Sequence, residues 1–296
     1  MWEYITFGLI VQLLINGVLF GTMYGIAAIG LSLIFGTMRI MFLAQGTVII
    51  FFAYLCYWAF HLLGVDPYLS LVIVLPIGVL LGIGMYHGLF REAATLEDKN
   101  ISLLIAVGLM FLVEAFMTVA WGGTPRAIST SYTSHAFRPI GLNLPFTKLI
   151  GLLMSVLATL GVVLFLKKTF IGMAVKAASE DIVATTLMGI SPHRVNSVAF
   201  AIGIGLAGLA GVEVATVYSF DPFFGFAFVL NALIALALGG IGSVTGALLG
   251  GIMLGLLQSL SSFFLPGWSD AVAYLVFLLV LMFKPEGLLV RSVKKA

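Results

Sequence analysis

Two acidic residues stand inside otherwise apolar runs, Glu114 in LMFLVEAFMTVAW and Glu213 in GLAGVEVATVY. A carboxyl placed this way can carry a proton or meet a cation. At the centre of a membrane a charge costs about 2.5–3.5 kcal/mol on insertion scales, so such a group turns toward the interior of a helix bundle. Gln45, Asn16 and Asn231 are softer polar residues in similar surroundings. Gln45, Glu114, Glu213 and Asn231 are therefore the candidates for a pathway or a gate, with hydrogen-bonded packing as the competing role. Glu213 falls within a turn or two of the end of its run, which weakens its claim. The chemistry available to these groups is proton coupling. That would make the chain a self-sufficient secondary transporter using Glu114 or Glu213, built on inverted repeats around a midplane site. Residues 25–39 and 236–249 share only a faint similarity, so support from internal repeats is weak.

Other chemistries lack their residues. A phosphate-binding loop needs GxxxxGK[ST], or GxGxxG between a strand and a helix. The stretch ALALGGIGSVTGALLGGIMLG has no such lysine and no strand pattern before it. There is no H-E-x-x-H, no G-x-S-x-G and no Cys/His cluster at metal spacing. His61, His87, His135 and His193 are scattered, mostly near the ends of apolar runs. No catalytic residue and no metal ligand is assigned, and an intramembrane enzyme has the least support of the classes considered.

The elements that must position these groups follow from composition. Hydrophobic residues make up 61% of the chain and charged residues 9%, against about 45–50% and about 25% in soluble proteins. Mean hydropathy is +1.19. The solvent for such a chain is lipid, and its 296 residues are consumed by spans, which predicts one transmembrane domain over 1–296. The net charge of +2 gives no indication of a nucleic-acid partner. Cys56 stands alone, so no disulfide framework is available. The opening MWEYITFGLIVQLLINGVLFG lacks a basic n-region and reads as a retained first helix.

A spanning helix needs about 20 mostly apolar residues. Such runs cover 7–35, 40–63, 68–90, 101–121, 146–166, 194–220, 224–238, 245–265 and 271–283. The fold class is thus all-α, a polytopic membrane bundle of eight or nine spans. With nine, every Lys and Arg falls on one side except Arg126, Arg138 and Lys148. This places the C-terminus in the cytoplasm and the N-terminus outside. The longest outer loop, about 122–146, carries Thr, Ser, Pro and Gly turn signals and presents a surface to the outside.

The longest inner loop is KKTFIGMAVKAASEDIVATTLMGISPHRVN. Met173, Ala177, Ala184, Leu187 and Met188 recur at helical spacing, with Lys176, Glu180 and Asp181 largely elsewhere. Gly189 suits the position just past a helix C-terminus, and Ser191-Pro192 suits the start of the next helix. The pattern predicts one short amphipathic cytoplasmic helix over about 172–189. Its alanine-rich face lacks the large apolar and multiple basic residues that favour a membrane surface, and fits a protein groove better.

Glycine costs a helix roughly 1 kcal/mol relative to alanine, so its concentration around 239–255 needs a reason. Gly239, Gly240 and Gly242 let the chain reverse between two spans. Gly242, Gly246 and Gly250, spaced four apart, form a small-residue face for close helix approach. Gly203, Ala207 and Gly211 repeat that spacing on the preceding span.

Several segments together resemble one family, the LivH-type permease subunits of bacterial branched-chain amino acid ABC importers. These are GLSLIFGTMRIMFLAQG, SEDIVATTLMGIS, AGLAGVEVATVYSFDPFFGF, the glycine-rich block and KPEGLL. The resemblance implies a location in the bacterial inner membrane and pairing with a homologous second permease. It further implies drive from two separate cytoplasmic ATPases and supply by a periplasmic substrate-binding protein. ATP and Mg would then be bound by the ATPases, with no cofactor in this chain. The residues at the family's docking positions are Glu180, Asp181, Ala184, Leu187 and Gly189. The first substrate class it implies is branched-chain amino acids, with urea, short amides or other small polar compounds also carried in the wider family. Leu43 and Gln45 stand where the family often has Asn and His, and Glu114 and Glu213 where neutral residues are expected.

Overall fold

The computed structural model describes residues 7–94, 99–130, 132, 136–137, 143–284 and 287–288. Arg138, His135, Arg291, Lys294, Lys295 and part of KPEGLL lie outside the described residues.

Each apolar run forms a helix. In chain order these are α1 (Phe7–Met38), α2 (Gln45–Leu63), α3 (Leu71–Met85), α4 (Arg91–Ala93) and α5 (Lys99–Trp121). They continue with α6 (Phe146–Lys168), α7 (Phe170–Glu180), α8 (Ile182–Leu187) and α9 (Pro192–Val217), then α10 (Phe224–Gly239), α11 (Val244–Phe264) and α12 (Ser269–Phe283). A π-helical turn over Tyr86–Phe90 joins α3 to α4. The only pairing of named strands among the described residues is a short hairpin, β1 (Ala136–Phe137) with β2 (Leu144–Pro145).

Seven helices are long and apolar enough to cross a membrane: α1, α2, the continuous α3–α4, α5, α6, α9 and α11. The other two apolar helices are shorter, α10 with 16 residues and α12 with 15. The chain is an all-α polytopic bundle. Arg39, Lys167, Lys168, Arg194 and Lys284 lie at or near the ends of apolar helices on one side, here the basic face, and Lys176 lies on α7 at the same side. Arg126 and Lys148 belong to the distal face.

The centre of the bundle is α1 and α9. Ile26, Ala27, Ile29 and Ile34 of α1 and Phe200, Ile204, Ala207 and Ala210 of α9 have no exposed surface. Small residues let the backbones close up without side chains between them. An added Cβ at Gly82 would sit 2.6 Å from the Phe200 carbonyl, and one at Gly211 2.5 Å from the Ile49 carbonyl. Peripheral α5 instead turns Phe111, Leu112, Phe116 and Val119 outward, as a lipid-facing helix does.

The joint between α1 and α2 departs from a simple loop. Arg39 adopts φ +57°, a left-handed conformation that ends a helix and is uncommon outside glycine. The next residues turn back into the bundle, and Ile40, Phe42 and Ala44 are buried. The Phe42 ring meets Phe200 at 5.3 Å and Phe90 at 5.6 Å. Gln45, the first residue of α2, reaches the carbonyl of Gly203. At 1.5 Å per residue that carbonyl lies roughly 16 Å along α9 from Pro192. Irregular backbone at membrane depth is tolerated where protein surrounds it, and α9 and the π-helical turn after α3 supply that cover.

Candidate functional site

At the basic face α6 ends in Lys167-Lys168, and the Thr169 hydroxyl accepts the Gly172 N–H at 2.9 Å to start α7. α7 buries Gly172, Ala174, Val175 and Ala178 against α6, α1 and α9. The single helix predicted over 172–189 is in fact two. Asp181 leaves helical geometry at φ −148°, ψ +104°, and its Oδ1 accepts the N–H groups of Val183 and Ala184, each at 2.9 Å. Aspartate competes well for such orphan donors, so the chain breaks there and restarts as α8. Gly189, at φ +81°, closes α8, with its N–H donated to the Thr186 carbonyl at 2.9 Å.

The surface set out by α7 and α8 is the notable product. Met173, Ala177, Ala184, Leu187 and Met188, the residues at helical spacing, are not the face that packs on the protein; they are exposed. Leu187 and Met188 are each 83% exposed and Val183 66%. Beside them lies a shallow groove of about 360 Å³ lined by Ala177, Glu180, Asp181, Ala184, Thr185, Met188 and Ile190. Glu180, Asp181 and Ala184 thus share one groove, Leu187 stands out on α8, and Gly189 ends that helix. Val183, Leu187 and Met188 form an exposed apolar ridge on α8, rimmed by the carboxylates of Glu180 and Asp181.

The four intramembrane polar candidates do not form one cluster. Gln45 is wholly buried; its Nε2 donates to the Gly203 carbonyl at 3.4 Å, and its Oε1 is buried without a partner. Glu213 of α9 is 2% exposed. Its Oε1 accepts the Ser155 hydroxyl of α6 at 3.0 Å, and Oε2 is buried without a partner. Glu114 lies half-buried on peripheral α5, where its backbone carbonyl accepts the Thr118 hydroxyl. Asn231 of α10 accepts from Gln258 of α11 at 3.2 Å, and the same Gln258 Nε2 donates to Asp270 of α12 at 3.0 Å. Tyr24 of α1 joins this group through Tyr218 and Gln258. Sequence reading missed Gln258, Asp270, Tyr24 and Ser155. The available signal was Gln258 interrupting the apolar run before Phe264, and Asp270 opening the last one.

The glycines divide by face. Gly239, Gly246 and Gly250 lie where α10 and α11 touch, so that an added Cβ on any of them would strike the other helix's backbone. Gly251 and Gly255, one step round α11, meet Gly17, Gly21 and Gly25 of α1 in the same way. Gly240 and Gly242 form the turn at φ +91° and +85°. Gly242 has open space around it rather than a helix partner, so the close-approach face begins at Gly246.

Residues 13–281 match the family described as the permease component of the branched-chain amino acid transport system. The chain belongs to this family. The permease is 29% identical over 295 residues to the high-affinity branched-chain amino acid transport system permease protein LivH of Salmonella typhimurium, with 95% of each chain covered. It is likewise 29% identical over 293 residues to BraD of Pseudomonas aeruginosa, again covering 95% of both chains. A probable LivH of Methanocaldococcus jannaschii is 23% identical over 292 residues, covering 94% of the permease and 91% of that relative. The permease is accordingly the membrane-spanning component of an ABC importer and a multi-pass protein of the inner membrane. Gln45 falls on the buried joint between α1 and α2, away from the α7–α8 surface.

Proposed function

We propose that this permease pairs with a homologous second permease and is driven by two separate cytoplasmic ATPases seated on the α7–α8 ridge. Branched-chain amino acids or a related small polar compound reach it from a periplasmic binding protein. All nine apolar helices cross the membrane as one domain, with the N-terminus outside and the basic face in the cytoplasm, following the positive-inside rule. The outer loop over 122–146 faces the binding protein. ATP and Mg bind the ATPases, and the chain itself carries out no hydrolysis. Glu213 and Gln45 serve as packing groups, while Asn231 belongs to the substrate path.

The observation that carries this reading is the exposure of Val183, Leu187 and Met188 beside the groove at Glu180, Asp181 and Ala184. Burying a leucine side chain contributes about 1.5–3 kcal/mol, and three such residues on one ridge supply an anchor for a partner. The ridge lies on α8, which packs on α7 and α9, and α7 in turn packs on α1, α6 and α9, so a push on the ridge is passed through α7 to the centre of the bundle.

The test is co-purification of the ATPases with Leu187→Glu and Met188→Glu variants. The expected result is loss of the ATPases with membrane insertion and the helical circular-dichroism signal intact. ATPases retained at the wild-type ratio would show that the ridge is not their seat.

A further inference from the structure

A half-open groove of about 550 Å³ runs between α10 and α12. Leu230, Leu233 and Ile234 face Tyr274, Phe277 and Leu281 across it, and nearly all of its wall is carbon. Its volume falls within the range of about 300–1,000 Å³ typical of small-molecule sites. Such sites combine an apolar wall with a few placed polar groups; Tyr274 is the one polar side chain lining this groove, and further polar groups lie just beyond its end of the groove.

That end is the one nearer the distal face. Asp270 lies one helical turn before Tyr274, in the exposed first turn of α12. Gln258 Nε2 holds Asp270 Oδ1 at 3.0 Å and Asn231 Oδ1 at 3.2 Å. The amide therefore ties together α10, α11 and α12 and holds the carboxylate one helical turn beyond the Tyr274 end of the groove. Asn231 is 6% exposed, so the ladder descends from an accessible carboxylate to a buried amide. A carboxylate above an apolar slot is complementary to a ligand with a cationic head and an aliphatic tail. No Lys or Arg lines the groove to compete for that carboxylate.

We infer that this is a substrate-contact site of the permease. Asp270, oriented by Gln258, receives the α-ammonium group of an amino acid, whose branched side chain enters the slot between Leu233 and Phe277. The site rests on the importer reading and gives it a location: the face of α10 and α12 is this subunit's wall of the substrate path.

The experiment uses the complete importer, with its ATPases and binding protein, in proteoliposomes supplied with radiolabelled leucine. Asp270→Asn keeps an oxygen for Gln258 but removes the charge, whereas Asp270→Glu keeps the charge. A charge-assisted hydrogen bond sets the scale: Asp270→Asn lowers initial uptake about tenfold and Asp270→Glu restores it to within about twofold. Both variants should assemble with the ATPases and melt with wild-type midpoints, which a purely structural ladder would not combine with an uptake defect. Wild-type uptake by Asp270→Asn, or a loss that follows the melting midpoint, overturns the inference alone. Absence of ATP-driven leucine uptake by the wild-type complex overturns the importer reading and this site with it.

Discussion

Gln45 and Gly203 are joined by a side-chain amide that donates to a helix carbonyl at 3.4 Å, with the Gln45 Oε1 sealed in without a donor. The contact is long and half satisfied, in a place where Gly30 leaves the room: a Cβ there would come 2.5 Å from Gln45 Nε2. An unpartnered buried acceptor costs about 1–3 kcal/mol, which offsets most of the gain from the bond. Gln45→Met, similar in shape, is therefore expected within about 1 kcal/mol of wild type. Gln45→Glu, which forces a carboxyl against the Gly203 carbonyl, should lower the unfolding midpoint in detergent far more. Equal midpoints for the two variants would contradict this account of the joint.

The cap at Asp181 governs α8 separately from α7, which has its own cap in Thr169. Asp181→Ala should cost about 1 kcal/mol of local stability, and Asp181→Asn much less. Hydrogen exchange at the Val183 and Ala184 amides is the measurement. Faster exchange there with α7 unchanged is expected, together with weaker ATPase association.

Glycines of the same type should differ widely in tolerance. At Gly251 and Gly255 an added methyl meets the α1 backbone, whereas at Gly84 and Gly108 it meets nothing within 4 Å. Gly251→Val is expected to abolish folding, since neither backbone can yield. Gly84→Ala and Gly108→Ala should be neutral or stabilising by about 0.5–1 kcal/mol. Expression level and midpoint in a small alanine and valine series would test the contrast.

In the turn before α3, the Tyr68 hydroxyl donates to the Thr147 carbonyl at 2.9 Å, and its N–H donates to Asp66. Burial, reinforced by the Glu213 and Asp66 carboxylates, pushes the Tyr68 phenol up to about 12 from an ordinary value of 10.0. Tyr132, which donates to Asp66 at 2.8 Å, is raised for the same leading reason. A group whose folded pKa lies above its unfolded value contributes stability that is complete below the unfolded value. That contribution is lost as pH rises from about 10 through about 12. Melting midpoints should therefore fall across this window and fall less steeply in Tyr68→Phe. A Tyr68→Phe profile parallel to wild type would rule this out.

Much of the fold was legible because lipid demands long apolar runs, and each run became a helix. The stop at Gly189 and the restart at Ser191-Pro192 were readable because positive φ and a missing N–H are properties of single residues. What escaped was set by partners distant in sequence. The apolar positions of 172–189 have helical spacing, yet the buried set is Gly172, Ala174, Val175 and Ala178, because small residues were needed against α6 and α9. Asp181 looked like one of an exposed acidic pair, and only its two backbone partners show it as a breaker. The ladder of Asn231, Gln258 and Asp270 spans three helices, and no periodicity along one helix reports it.

The turn-back after Arg39 also bears on how the polypeptide is made. Phe42 and Ala44 are covered by Phe200 and its neighbours, and Gln45 is anchored to a position 158 residues later. While the ribosome is still extending the chain, that cover does not exist. The first two helices must wait beside the insertion machinery, their link exposed to the bilayer or to a chaperone, until α9 emerges. Synthesis halted before residue 192 should leave a fragment that is inserted yet open to proteolysis between Arg39 and Gln45.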